Sequence, residues 1–179
     1  MERAVQSTPM EGEAMTNHEI KINFKEYSTL QELNKPDQEL CLEAVKAMGT
    51  SHSPYSKFGV GAALRLQSGK IVYGSNQENV AYPSGLCAER VALFHSGAYY
   101  PNDPIEAMAV TAHSDEFEIL QPVASCGACL QVLAEYEKKQ NKPIEIILFC
   151  NSGPAWVMNS VESFLPFLFF ENRLLKGER

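Results

Sequence analysis

The sequence predicts a three-layer α/β/α sandwich built on one mixed sheet of about five strands. Three observations lead there. Helical and strand periodicities alternate along the chain. Two strand candidates, 107–112 and 144–149, are nearly continuous apolar runs, as strands covered on both faces require. The link between the last two strand candidates is too short to hold a helical crossover, which makes that pair antiparallel and the sheet mixed.

In chain order, Ile20, Ile22 and Phe24 alternate with Lys21 and Asn23 and predict a short edge strand. Residues 35–49 read as the first helix, started by Pro36 and Asp37. Segments 60–66 and 71–74 flank Gln67-Ser68-Gly69-Lys70, a turn with glycine at a useful position, and predict an antiparallel hairpin. A second helix runs from 87 to about 96, followed by the strand over 107–112. The third helix opens at Cys126 and ends near Asn141, before Pro143, and the strands 144–149 and 155–158 follow. A phenylalanine-rich terminal helix is expected over 162–170.

At 179 residues the chain suits one domain, expected over 19–179 behind a flexible polar leader at 1–18. A net charge of -7 weighs against nucleic acid polymers, whose phosphates need clustered Lys and Arg. No apolar run approaches the roughly 20 residues of a membrane span, so neither a membrane nor a polynucleotide is an expected partner and a cytoplasmic location is. Of five cysteines, Cys41 and Cys150 fit buried free thiols in a reducing compartment. The four histidines fall at no ligand spacing relative to the cysteines and read as structural or surface groups.

The other three cysteines carry the chemistry. Cys126 and Cys129 form a C-x-x-C pair, and Cys87 stands at the start of another helix with Glu89 two residues on. The pair alone is ambiguous between redox and metal chemistry; a distant third thiol with an adjoining carboxylate suggests three-thiolate zinc, a fourth position open to water, and Glu89 as catalytic acid/base. The alternatives are a closed four-cysteine site completed by Cys150, or an oxidised Cys126 and Cys129. Helix N-termini at Cys87 and Cys126, with Arg90, offer positive charge against the three thiolates.

This layout resembles the zinc-dependent nucleoside deaminases, most closely cytidine deaminase of the small homotetrameric type. The likeness also covers Pro54-Tyr55-Ser56-Lys57-Phe58-Gly59-Val60-Gly61, Gly74-Ser75-Asn76-Gln77-Glu78-Asn79, Ala81-Tyr82-Pro83-Ser84-Gly85-Leu86 and Glu162-Ser163-Phe164-Leu165-Pro166. The resemblance implies one zinc per chain held by Cys87, Cys126 and Cys129, proton transfer by Glu89, and hydrolysis of cytidine or deoxycytidine to the uridine form with release of ammonia. It implies that Phe58 lies against the pyrimidine, that Asn76 and Glu78 bind base and ribose, that Ala88 offers backbone groups, and that Phe169 reaches a neighbouring active site in a homotetramer. Glu78 with no cluster of Lys or Arg beside it, and the short link after Cys150, favour free nucleosides. Two positions depart from the family's pattern. Ser125 replaces a common proline and is expected to cap the helix in its stead; Leu130 replaces a common arginine. The rival functions are deamination of a cytosine nucleoside antibiotic such as blasticidin S, and a catalytically silent zinc-stabilised binding protein.

Overall fold

The computed structural model describes residues 16–171; most of the expected leader, residues 1–15, lies outside them, as does 172–179. Among the described residues six strands, β1 (Lys25–Tyr27), β2 (Phe58–Leu66), β3 (Ile71–Ser75), β4 (Ile105–Ser114), β5 (Glu145–Phe149) and β6 (Ala155–Met158), form one sheet in the order β1-β6-β5-β4-β2-β3. Among these strands only β4 and β5 pair in parallel, so the sheet is mixed as expected, and its strands match the six segments proposed from sequence. The edge strand forms later in the chain than expected. β1 pairs with β6, Glu26 opposite Trp156, one step beyond the alternating segment 20–24. Phe24 instead sets its ring against Trp156 at 5.7 Å.

Period-two alternation divides the strands between two apolar layers. Ala62, Leu64 and Leu66, Met108 and Val110, Ile146 and Leu148, and Met158 pack with α2 (Ala88–Tyr99) and α3 (Gly127–Gln140). Their neighbours Ala63, Ala107, Ala109, Ile147, Phe149, Ala155 and Val157 pack with α1 (Lys35–Met48) on the other face. Cys41 belongs to this second layer; burial pushes its thiol up to about 12, and it is an inert core residue.

Each helix has a local reason to start and stop. The Asn34 side chain accepts from the Asp37 N–H at 3.0 Å and Pro36 occupies the first turn of α1. Helix α3 stops at Asn141, whose φ of 49° takes the left-handed conformation that ends helices, and whose N–H reaches the Lys138 carbonyl. Two glycines decide how closely helices approach the sheet. A Cβ on Gly61 would lie 2.1 Å from the Ala44 carbonyl oxygen of α1, and one on Gly74 would lie 2.3 Å from that of Ala88 in α2.

The terminal helix expected over 162–170 does not form. A 3₁₀ turn at Val161–Ser163 is followed by irregular chain. Pro166 lacks an N–H and biases Leu165 away from the helical region, which outweighs the apolar pattern. Phe164, Leu165 and Leu168 pack against the core, whereas Phe167 and Phe169 are 80% and 70% exposed.

Candidate active site

Cys87 and Cys126 are the N-cap residues of α2 and α3, with near-identical extended backbones (φ -71°, ψ 154° and φ -70°, ψ 159°). The two helix starts lie side by side, which brings these two sulfurs together. Cys129, one turn into α3, brings a third, and the three sulfur atoms lie within 4.8 Å of one another. Cys87 and Cys126 are 3.8 Å apart, and Cys126 and Cys129 are 3.5 Å apart. Zinc with Zn–S bonds of about 2.3 Å in a tetrahedron spaces its sulfurs about 3.8 Å apart, so the cluster fits that ion. Cys150 stands outside it, which removes the four-cysteine alternative, and all five cysteines are free thiols.

The cluster already favours a thiolate. A hydrogen bond from Cys129, then those from Arg90 and Cys126, hold Cys87 down to about 5, against its burial. Cys129, the donor in that pairing and itself buried, is pushed up. Arg90 Nη2 donates to Cys87 Sγ at 3.7 Å. Neither Cys87 nor Cys126 makes a side-chain capping hydrogen bond, so the offset contributed by the helix ends is that of their dipoles.

Glu89 is 5% exposed in the first turn of α2, and burial raises its carboxyl pKa. The Ser125 hydroxyl lies close enough to favour its charged form, yet makes no hydrogen bond of normal geometry. Ser125 consequently does not cap α3 as the sequence suggested; Cys126 occupies that position. Among the described residues, three buried side-chain polar atoms lack a partner, and two of them, Arg90 Nε and Ser125 Oγ, sit beside this cluster. Buried orphans concentrated at one place mark a site completed by groups other than the chain itself. Leu130, on α3, is 7% exposed in the apolar layer that α2 and α3 form with the sheet, so a charge there would have to leave that layer to reach the thiols.

One cavity of about 750 Å³ gathers most of the residues the sequence named: Phe58, Asn76, Glu78, Cys87, Glu89, Arg90 and Cys126. Backbone pairing holds the wall. Gln77 exchanges hydrogen bonds with Leu86, next to Cys87, while His52 bonds to Asn76 and Glu78 on the other side. Asn76 and Glu78 thus sit at a fixed offset from the first sulfur. Ring stacking of Phe58 on Phe117, at 6.1 Å and 27°, backs it from outside the cavity lining. Ala88 and Cys129 lie behind the wall, fully buried. Phe169 stands elsewhere; its backbone is bound twice by the Gln131 side chain on α3.

Several lining residues carry no role that the sequence assigns. Tyr55 and Tyr82 meet edge to face at 6.3 Å at the rim. Thr111, in the small apolar run of β4, reaches the cavity while its hydroxyl bonds to the Phe149 carbonyl at 3.0 Å. Both tyrosines stood inside the quoted motifs, but nothing in their spacing distinguished a rim from a core.

Comparison with known proteins agrees with this geometry. The model of the cytidine and deoxycytidylate deaminase zinc-binding region matches residues 5–114, a span that holds Cys87 and Glu89 and stops before Cys126. A cytidine deaminase of Halalkalibacterium halodurans is 43% identical over 98 residues, 55% of this chain and 70% of that protein. A probable cytidine deaminase of Dictyostelium discoideum is 32% identical over 144 residues, covering 80% of this chain and 90% of that one. Among solved structures, cytidine deaminase from Burkholderia pseudomallei superposes with a TM-score of 0.64 at 37% identity, covering 73% of this chain and 97% of that one. The enzyme from Mycobacterium tuberculosis gives 0.53 at 31% identity, covering 74% and 96%. With three thiols at zinc spacing and a buried glutamate beside them, the chain belongs to the cytidine and deoxycytidylate deaminase zinc-binding family.

Proposed function

We propose that this protein hydrolyses cytidine and deoxycytidine to uridine and deoxyuridine, releasing ammonia, as a cytoplasmic step of pyrimidine salvage. The observation that carries the reading is the buried Glu89 carboxyl beside a three-sulfur cluster, both opening on one cavity large enough for a nucleoside. Zinc held by Cys87, Cys126 and Cys129 would supply a nucleophile of hydroxide strength near neutral pH. Glu89 takes one proton from the attacking water and passes it to ring nitrogen N3, then takes the second from the hydroxyl now bonded to C4 and gives it to the amine, whose bond to C4 breaks as ammonia leaves. Burial raises its hold on a proton, which suits a group that both accepts and donates. Arg90, bonded to Cys87, offsets thiolate charge.

In this reading the Phe58 ring lies against the base, Ala88 offers backbone groups, and the pair Asn76 and Glu78 binds base and ribose, with the Glu78 carboxylate accepting from ribose hydroxyls. Among the described residues Arg90 is the only Lys or Arg lining the cavity, and it is engaged with Cys87, so there a nucleotide's phosphate would meet Glu78 without a balancing cation. The proposed assembly is a homotetramer in which the exposed Phe169 reaches a neighbouring site.

The test is ammonia release from cytidine, deoxycytidine, CMP, adenosine and blasticidin S, with zinc measured on the same sample. Turnover of the first two, with one zinc per chain and little activity on CMP, is expected. A zinc-loaded protein inert toward every substrate would make it a binding protein, and turnover confined to blasticidin S would make it an antibiotic deaminase.

A further inference from the structure

Asn76 is held by three hydrogen bonds that leave it a single way to meet a ligand. Its Oδ1 accepts from the Val60 N–H at 2.7 Å and from Ser51 Oγ at 2.6 Å, and its Nδ2 donates to the Phe58 carbonyl at 2.8 Å. The two backbone partners decide which end of the amide is which, since an N–H can only donate and a carbonyl can only accept. Ser51 does something further. It takes the second lone pair of Oδ1, so the carboxamide has no acceptor capacity left and one spare N–H. Ser51 and Ser53 hydroxyls lie 3.1 Å apart, which continues the chain of bonds along the loop between α1 and β2. Across the same cavity wall, Glu78 spends Oε2 on the N–H groups of Tyr55 and Ser56, at 2.9 and 3.3 Å. A ligand therefore meets a donor at Asn76 and a carboxylate acceptor at Glu78, a combination suited to one hydroxyl that accepts from the first and donates to the second.

We propose that Ser51 is a positioning residue for the substrate's sugar: by saturating Asn76 Oδ1 and tying the side chain to the α1–β2 loop, it keeps the spare N–H aimed at a ribose hydroxyl. This rests on the nucleoside reading above. Ser51 itself does not line the cavity. Without its hydroxyl, the open lone pair competes for the same ligand hydroxyl and the side chain loses its loop anchor.

The experiment uses the full zinc-loaded chain and compares substrates with and without sugar hydroxyls. Ser51→Ala should raise KM for cytidine about tenfold, the worth of roughly one hydrogen bond, with kcat within about twofold. KM for 2′,3′-dideoxycytidine should stay unchanged. Ser51→Thr should restore the wild-type KM and Ser51→Val should not, a comparison that also serves if Ser51→Ala fails to fold. Calorimetric binding of uridine against 2′,3′-dideoxyuridine reads the same difference without turnover, so an inactive protein that still binds uridine would sink the deaminase reading and leave Ser51 decided. Equal effects on both sugars, no effect of Ser51→Ala, or a wild type that binds no uridine would overturn the role.

Discussion

Individual side chains at the cavity divide into those that would react and those that hold them. Glu89 belongs to the first kind. Exchanging it for glutamine keeps its size and packing but removes the titrating oxygen, so Glu89→Gln should retain zinc and its melting temperature while losing about 10²–10⁴-fold in kcat. Activity within tenfold of wild type would be incompatible with proton transfer at this position. The thiols make an equally sharp contrast. Cys129→Ala should lose most of its zinc on dialysis, because that sulfur lies within 4.8 Å of the other two and can share one ion with them; Cys150→Ala should keep one zinc per chain, because that sulfur stands apart. Elemental analysis decides it, and full zinc in Cys129→Ala would remove the ligand set.

At the scale of elements, the site depends on how closely α2 lies on β3. The Gly74 position admits no Cβ, since one would stand 2.3 Å from the Ala88 oxygen and 2.5 Å from the Ala92 N. Gly74→Ala should therefore push the first turn of α2 outward, costing about 1–3 kcal/mol and weakening zinc binding, because Ala88 sits between Cys87 and Glu89. Thermal melting and zinc titration check this, and no change in either would mean the helix shifts freely. On α3, Glu137 gathers the chain that follows. Its Oε1 accepts from the Ile144 and Val161 N–H groups at 2.9 and 3.0 Å, and its Oε2 from Ser160 Oγ at 2.9 Å. Burial first, and the charge of Glu162 last, raise its pKa despite these bonds. A raised carboxyl pKa means the fold binds the proton more tightly than the unfolded chain; that contribution is complete below the unfolded pKa and lost as pH rises through the folded one. Glu137→Gln keeps an oxygen for the two N–H groups without the titration, so its melting temperature relative to wild type should be higher at pH 7 than at pH 4. The reverse order would show that the ionised carboxylate is the favoured form.

For the whole molecule, Phe167 and Phe169 are among the large apolar side chains that a lone chain leaves in water. Two phenylalanines in contact with water on one short segment suit an interface between identical chains, and closed symmetry is the usual form of such assemblies. Sedimentation at micromolar concentration should give about four times the 19.9 kDa chain mass, the size the tetramer reading requires. A fully active species of 19.9 kDa would remove both the assembly and the shared site.

The sequence by itself determined what is local. Cys126 and Cys129 are one helical turn apart, Glu89 stands two residues from Cys87, and capping and apolar alternation placed α1, the hairpin and β6 within a residue or two, because each of those signals acts over a few neighbours. It misjudged the C-terminal segment, where Pro166 overrides an apolar pattern, and the edge strand, whose position β6 sets from across 130 residues of chain. Only the tertiary structure decided that the starts of α2 and α3 lie side by side, that Cys150 is left out, that Leu130 is core and that Ser51 reaches Asn76. Those are contacts between segments far apart in the chain, and they depend on sheet order and on how closely two glycines let the helices approach, neither of which any single stretch of residues encodes.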